Sequence, residues 1–300
     1  MSGIRTFSES DIPAMLSLSN KNMEFDQLNE VLLREKILED PAYDPNLVFV
    51  YEKDRQMIGY IVGVTREIRG EKIGYVKLMV VAKPYRRQGY GSELYQALEK
   101  KLKKAGMQKV RVYDVPFNYF MPGIDPRYTP ALSFFETMGF KRFADTSNLT
   151  VDLQGQSFDT REEEKKLLGE GIEIRRANYE DREALLEFLH ENFDLWRYEV
   201  LNAYNSIPIA IHIAIHQGKI KAFSAHNGNN FGTGWFGPMG THPDLRGKGI
   251  GSILLKRCLQ DMKDWGLEKS IIPWVGPIRF YSYYVNAVVE RVFWRYEKAL

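Results

Sequence analysis

Two short runs carry residues suited to holding an anion: Val81-Ala82-Lys83-Pro84-Tyr85-Arg86-Arg87-Gln88-Gly89-Tyr90-Gly91 and Thr241-His242-Pro243-Asp244-Leu245-Arg246-Gly247-Lys248-Gly249-Ile250-Gly251. Each closes in Arg-x-x-Gly-x-Gly. An apolar, strand-like stretch precedes each run (Tyr75 to Val81; Trp235 to Thr241). An amphipathic helix follows, with Leu94, Leu98 and Leu102 in the first copy and Ile253, Leu254 and Leu255 in the second. Strand, glycine turn and helix N-terminus together make a socket for phosphate, because the first N–H groups of a helix lack internal partners and its dipole favours negative charge. Glycine lets the backbone approach a ligand with no Cβ in the way, while Arg86 and Arg87, or Arg246 and Lys248, add charge beside it. A single turn of this kind is compatible with a plain β-α connection. Two copies with a shared arginine and the same flanks argue for binding. Neither copy continues as a dinucleotide fingerprint, which fails at Leu94 and Leu254, and no Gly-Lys-Ser/Thr follows as in a P-loop.

The elements around the turns repeat as well. Ile4, Arg5, Asp11, Ala14 and Leu16 recur as Ile174, Arg175, Asp181, Ala184 and Leu186, each 170 positions later (174 minus 4). The turns are 160 apart (246 minus 86), so the second copy is shorter before its turn. Between the halves, 154–171 contains Asp-Thr-Arg-Glu-Glu-Glu-Lys-Lys and reads as a solvated linker helix. Domains at 1–155 and 170–300 with a charged linker at 156–169 are therefore expected. In the first half, alternating runs at 46–51, 57–65 and 72–81 predict an antiparallel meander. The glycine turn, a long helix, a strand at 109–115, a helix at 130–138 and a closing strand pair at 140–153 follow. Runs at 210–217, 219–226, 234–241 and 270–274, a helix from 277 and a last strand at 289–296 repeat this order in the second half.

Three hundred residues, 44% hydrophobic and 27% charged, suit two soluble globular domains. Lys plus Arg (41) nearly cancels Asp plus Glu (39), which argues against nucleic acid or an anionic membrane as the main partner. The lone cysteine, Cys258, excludes an internal disulfide and a cysteine-rich metal site, and its apolar neighbours predict a packing role. The start of the chain has no apolar signal core, Ser2 stands where myristoylation needs Gly, and 207–215 is too short to span a bilayer, so a cytoplasmic location is expected.

The runs resemble the pyrophosphate-binding segment of the GNAT superfamily of acyl-CoA N-acyltransferases, whose pattern is Arg or Gln, x, x, Gly, x, Gly or Ala after a strand. The element order resembles that fold across nearly the whole chain, twice, as in tandem GNAT proteins such as mycothiol synthase. The resemblance implies an α/β (α+β) protein of two tandem GNAT folds, each a mixed, mostly antiparallel sheet with a splayed parallel pair and flanking helices. It also implies acetyl-CoA. Pantetheine would run along Met79, Val80 and Val81, or Met239, Gly240 and Thr241. Pyrophosphate would sit on the N–H groups of Arg87, Gln88, Gly89, Tyr90, Gly91 and Ser92, or of Gly247, Lys248, Gly249, Ile250, Gly251 and Ser252, with Arg86 and Arg246 alongside. Valine at Gly89 or Gly249 should then weaken CoA and leave the fold intact.

The family's usual general acid is a tyrosine in Ala-x-x-Phe-Tyr. Pro277-Ile278-Arg279-Phe280-Tyr281 supplies it in the second half, whereas Ala131-Leu132-Ser133-Phe134-Phe135 has phenylalanine there, so the resemblance directs the chemistry to the second half. For a general base, Asp114 is the candidate in the first half, at a strand end; the second half offers His242 or water. His212 and His216 read as ordinary sheet residues, and no metal is expected. A long loop at 116–128 either walls an acceptor pocket or packs beneath the neighbouring domain. The implied activity is transfer of an acetyl group from acetyl-CoA to a primary amine of a small molecule or peptide. The alternative is a CoA-binding sensor or scaffold without catalysis.

Overall fold

The computed structural model describes residues 3–300, so the reading of Ser2 lies outside them. The chain forms two α/β units of mixed sheet with flanking helices, as expected. The first comprises residues up to Thr146 together with Phe293–Leu300, and the second Ser147–Val292.

In the first unit, β1 (Gly3–Thr6) leads to α1 (Ile12–Asn22) and α2 (Glu30–Ile37). The meander β2 (Val48–Lys53), β3 (Gln56–Ile68) and β4 (Glu71–Val81) follows, antiparallel throughout. Both hairpins close through two residues of positive φ, Asp54 and Arg55 at 51° and 64°, and Arg69 and Gly70 at 52° and 80°. This matches the twist that two-residue hairpin loops require. After the glycine turn comes α3 (Tyr90–Lys104), whose Leu94, Leu98 and Leu102 press on the sheet where it has no side chains. A Cβ on Gly63 would lie 2.2 Å from Leu98 Cδ1, and one on Gly74 2.7 Å from Leu102 Cδ1. These strand glycines let the helix dock at close range. β5 (Lys109–Val112), α4 (Thr129–Thr137) and the start of β6 (Lys141–Asp152) follow.

The second unit has α5 (Arg161–Gly169), β7 (Ile172–Arg176), α6 (Arg182–Asn192), α7 (Arg197–Ala203), β8 (Ile211–His216), β9 (Lys219–His226) and β10 (Phe236–Thr241). Then come α8 (Ile250–Asp264), β11 (Lys269–Ile272), α9 (Ile278–Val285) and β12 (Val288–Ala299). Strands β10-β9-β8-β7 form an antiparallel sheet in that order. The sequence repeat reappears as one motif built twice. Arg5 holds Asp11 at 2.8 and 2.7 Å and Arg175 holds Asp181 at 2.6 and 2.7 Å, while each aspartate accepts the N–H of the residue three before it, Ser8 or Asn178, at 2.8 Å. Each pair fixes the entry to the helix that follows it, α1 or α6.

Two expectations are corrected. The segment at 161–169 is a helix, but not a free one: Leu167 is buried with Ile172, Ile174 and Leu254, and Glu164 pairs with Arg257 Nε at 2.7 Å. The closing strands are also exchanged relative to the sequence order. Leu149–Asp152 of β6 pairs with β11 in the second unit, and Glu297–Ala299 of β12 pairs antiparallel with Lys109–Arg111 of β5 in the first. Phe293 and Tyr296 are buried in the first core, and the Tyr296 hydroxyl donates to Glu136 at 2.7 Å. The unit boundaries therefore differ from 1–155 and 170–300.

Cys258 is fully buried, its thiol donating to Ser224 Oγ at 3.3 Å, and burial pushes its pKa well up, as a packing role requires. Among the described residues, no helix is long and apolar enough to cross a membrane.

Candidate active site

In the first unit β4 and β5 run parallel from Ile73↔Lys109 to Val76↔Val112 and no further. β4 continues to Val81 paired with β3 alone, while the chain beyond β5 turns away at Tyr113, whose φ is 66°. The gap between the strands opens into a cavity of about 400 Å³. Its walls are Met79, Val80 and Val81 from β4; Arg86, Arg87, Gly89, Gly91 and Ser92 from the turn; and Pro130, Ala131, Ser133, Phe134, Phe135 and Thr137 at and along α4. Asn22, Met23, Tyr113, Met121 and Tyr128 complete the lining.

The turn has the same construction in both units. Arg86 donates Nε to Val81 O at 2.9 Å and Arg246 donates to Thr241 O at 3.2 Å, so the arginine shared by the two runs ties the helix entry to the end of its strand. Arg87 and Gly247 occupy the same place with φ of 63° and 80°, and Gly89 and Gly249 with 92° and 81°. No side chain caps the N-terminus of α3 or α8. Arg87 has no hydrogen bond or ion pair among the described residues, leaving its charge available at the helix start. In the second unit Lys248 is paired with Glu170 at 2.8 Å, and Ser252 Oγ turns back to Gly249 O at 2.7 Å.

The floor beneath the turns is also repeated. A Cβ on Gly91 would lie 3.3 Å from Phe134 and 3.5 Å from Met79, and one on Gly251 3.4 Å from Met239 and 3.5 Å from Phe280. This contact sets Phe135 and Tyr281 in equivalent places. The units differ at the inner end. Met23 lines the first cavity, but its repeat position holds Phe193, stacked on Trp196 at 5.0 Å. A Cβ at Gly240, which takes the place of Val80, would lie 2.7 Å from the Phe193 ring. Aromatic rings thus cover the strand in the second unit where the first is open.

The long loop at 116–128 walls the first cavity through Met121 and Tyr128. Its anchor is a buried polar cluster at the β4 bulge. Lys77 Nζ donates to Asp40 at 2.5 Å and to Asn118 at 2.8 Å, and Asn118 donates to Glu35 O at 3.0 Å. Burial pushes Lys77 down to about 7, against the pull of Asp40.

The three residues expected to act on protons are differently placed. Asp114 is absent from the cavity lining: fully buried, it accepts from Arg295 Nε at 3.0 Å. The chain leaves β5 at Tyr113 with a left-handed backbone, and beyond that turn the Asp114 side chain is buried while Tyr113 lines the cavity. Burial pushes Asp114 up from 3.8 to about 7, with Arg295 and Arg111 opposing. Between those values the folded protein holds a proton that the unfolded chain has released, so this group's contribution to stability falls as pH rises through that window. Asp114→Asn should flatten the corresponding slope of melting temperature against pH; an unchanged slope would place the titration elsewhere. His242 accepts the Asp244 N–H on Nδ1 at 3.3 Å and lies beside Phe188. Tyr281 is 8% exposed, edge-on to Phe236 at 6.1 Å, and pushed up to about 12 by burial.

His212 Nε2 donates to Asp261 Oδ2 at 2.8 Å, and no cluster among the described residues is arranged to hold a metal ion. Sequence reasoning singled out the loop that supplies Met121 and Tyr128, as one of two readings, but missed Asn22, Met23 and Tyr113. Met23 and Phe193 follow the same 170-residue spacing as the repeat (193 minus 23), the one signal available.

The sequence profile described as the acetyltransferase (GNAT) family matches residues 14–140 and again 173–282. No curated protein sequence matches the chain. Among solved structures, the GCN5-related glucosamine N-acetyltransferase region of a fungal multi-domain GH3 β-N-acetylglucosaminidase superposes with a TM-score of 0.83 at 18% identity. The match covers 99% of this chain and 38% of that one. A GCN5-related N-acetyltransferase from Sphaerobacter thermophilus gives 0.72 at 19% identity, covering 99% and 95%. A tandem GNAT protein from the clavulanic acid biosynthesis pathway gives 0.70 at 14%, covering 100% and 98%. At these identities the likeness is one of fold.

Proposed function

The chain belongs to the acetyltransferase (GNAT) family, and from that premise we propose that it transfers an acetyl group from acetyl-CoA to the primary amine of a small molecule or peptide, in the first unit. One observation carries the choice of unit: the cavity there joins the glycine turn to the open end of β4 and to Met23, Met121 and Tyr128. The residues fit the donor. Uncapped N–H groups from Arg87 to Ser92, with the free charge of Arg87, suit a pyrophosphate, and the β4 edge at Met79, Val80 and Val81 suits the amide groups of pantetheine. Bound there, the donor supplies an activated acyl group. The apolar walls keep water from it, and backbone N–H groups of the strand polarise its carbonyl. The matching residues of the second turn, Gly247 to Ser252 beside Met239, Gly240 and Thr241, are a second candidate donor site.

Tyr281 supports a second reading, with the chemistry in the second unit, because it stands at the family's tyrosine position and no hydrogen bond among the described residues engages its hydroxyl. A screen of amines for release of free CoA separates the readings. Glycine accepts the left-handed conformation of residue 87, as Gly247 does in the repeat. Arg87→Gly therefore removes charge without adding strain. It should lower donor affinity about 10- to 100-fold, the worth of a charge-assisted hydrogen bond, with the melting temperature kept. Amine-dependent release in the wild type that survives unchanged in Arg87→Gly would favour the second unit. Donor binding with no release for any amine would favour the sensor.

A further inference from the structure

We infer that Tyr113 is the proton donor to the departing thiolate in the first unit, supplying from the end of β5 the hydroxyl that Phe135 lacks on α4; the inference rests on the placement of the reaction in that unit. Tyr113 lines the cavity, and its ring meets Phe135 edge-on, 6.2 Å between centroids at 85°. Its backbone is left-handed at φ 66°, which is rare for an aromatic residue. Two hydrogen bonds hold it so: its N–H donates to Val76 O at 2.8 Å and its carbonyl accepts from Val115 N–H at 2.7 Å. Strain of this kind persists where the surroundings impose it, and it concentrates at functional sites.

No hydrogen bond among the described residues engages the Tyr113 hydroxyl. Two other tyrosines of this unit are committed: Tyr128 donates to Asp26 at 2.7 Å and accepts from Phe25 N–H at 3.0 Å, and Tyr60 bonds Ser19 at 2.7 Å, while Tyr75, whose hydroxyl also has no partner among the described residues, does not line the cavity. Burial pushes the Tyr113 phenol well above its ordinary range, so it stays protonated at neutral pH, as an acid must.

The repeat strengthens the assignment. Tyr75 faces Arg111 and Trp235 faces Ile271 in the same parallel register, so Pro273 stands where the first unit has Tyr113. Tyr281 stands where it has Phe135. Each unit thus carries one phenol across the same two places, on the strand end in the first and on the helix in the second.

In the step itself, the amine nitrogen bonds to the acyl carbon as the carbon–sulfur bond breaks. Sulfur takes the Tyr113 proton, and the proton shed by nitrogen returns through water to the phenolate. The products are an amide and a thiol, with nothing oxidised or reduced.

Tyr113→Phe tests this cleanly, because the ring and its backbone preferences are kept and the lost hydroxyl has no hydrogen-bond partner among the described residues. The melting temperature and acetyl-CoA affinity should be unchanged, while kcat on an amine found by the screen falls about 10²- to 10⁴-fold. A readout independent of turnover is the pKa of the CoA thiol bound to the protein, followed by thiolate absorbance. Losing a hydrogen bond to sulfur should raise it by about one unit. Unchanged kcat and thiol pKa, in a protein whose donor affinity Arg87→Gly lowers, would overturn the role of Tyr113 and leave the first-unit reading standing. Turnover lost in Tyr281→Phe, with Tyr113→Phe fully active and donor affinity unchanged in Arg87→Gly, would overturn the first-unit reading itself.

Discussion

Removal of residues 293–300 should unfold the first unit while sparing the second. The deleted segment holds Phe293 and Tyr296 in the first core, the Arg295 partner of Asp114, and the Lys298 ammonium 2.6 Å from Glu99. It also supplies the strand beside Lys109–Arg111. Loss of each buried aromatic side chain costs about 3–5 kcal/mol, and a charge left buried without its partner adds a similar amount. A domain of this size has only about 5–15 kcal/mol to lose. Hydrogen exchange on the 1–292 chain should show amides of β2 to β4 unprotected and those of β7 to β10 still protected. Full protection in β2 to β4 would mean that the exchanged strand is dispensable.

What is legible in the sequence divides along physical lines. Local signals suffice for the hairpins, the glycine turns and the Arg5–Asp11 motif, because each is fixed by residues close in sequence. Strand exchange leaves no such mark. An alternating strand such as 288–299 presents the same pattern whichever sheet it joins, and only tertiary pairing decides. The glycines at 63 and 74 look like weak points in strands until the leucines of α3 are seen above them. Asp114 is a candidate base by its place at a strand end, but the chain turns at Tyr113 with a left-handed backbone that the sequence does not announce, and the carboxyl lies in the interior and the phenol in the cavity. Direction of the chemistry to the second half rests on the hydroxyl of Tyr281 alone. The contact of Phe193 with Gly240 joins distant segments and is invisible to motif reading.

Blocking the first glycine turn should have the second large effect. A side chain at Gly91 starts 3.3 Å from Phe134 and 3.5 Å from Met79, so the added methyl groups of valine must intrude on the cavity that both residues line. Overpacking of this kind costs about 1–3 kcal/mol, which for a ligand sharing that space is about 10- to 100-fold in affinity. Gly91 is a better choice than Gly89. The space around Gly89 is open, since a Cβ there would lie 3.8 Å from Glu93 Oε1, but its φ of 92° would strain a valine backbone. The expectation that Gly89→Val leaves the fold intact is therefore withdrawn, and for Gly249, at φ 81°, the same holds. Gly251→Val makes the equivalent change in the second unit, against Met239 and Phe280.

Calorimetric titration of acetyl-CoA into the wild type, Gly91→Val and Gly251→Val therefore tests the assignment of the donor site most directly. The tightest site should weaken about 10- to 100-fold in Gly91→Val and keep its affinity in Gly251→Val. Loss of that site in Gly251→Val with Gly91→Val unaffected, or no binding heat in the wild type, would contradict the placement of the acyl donor in the first unit.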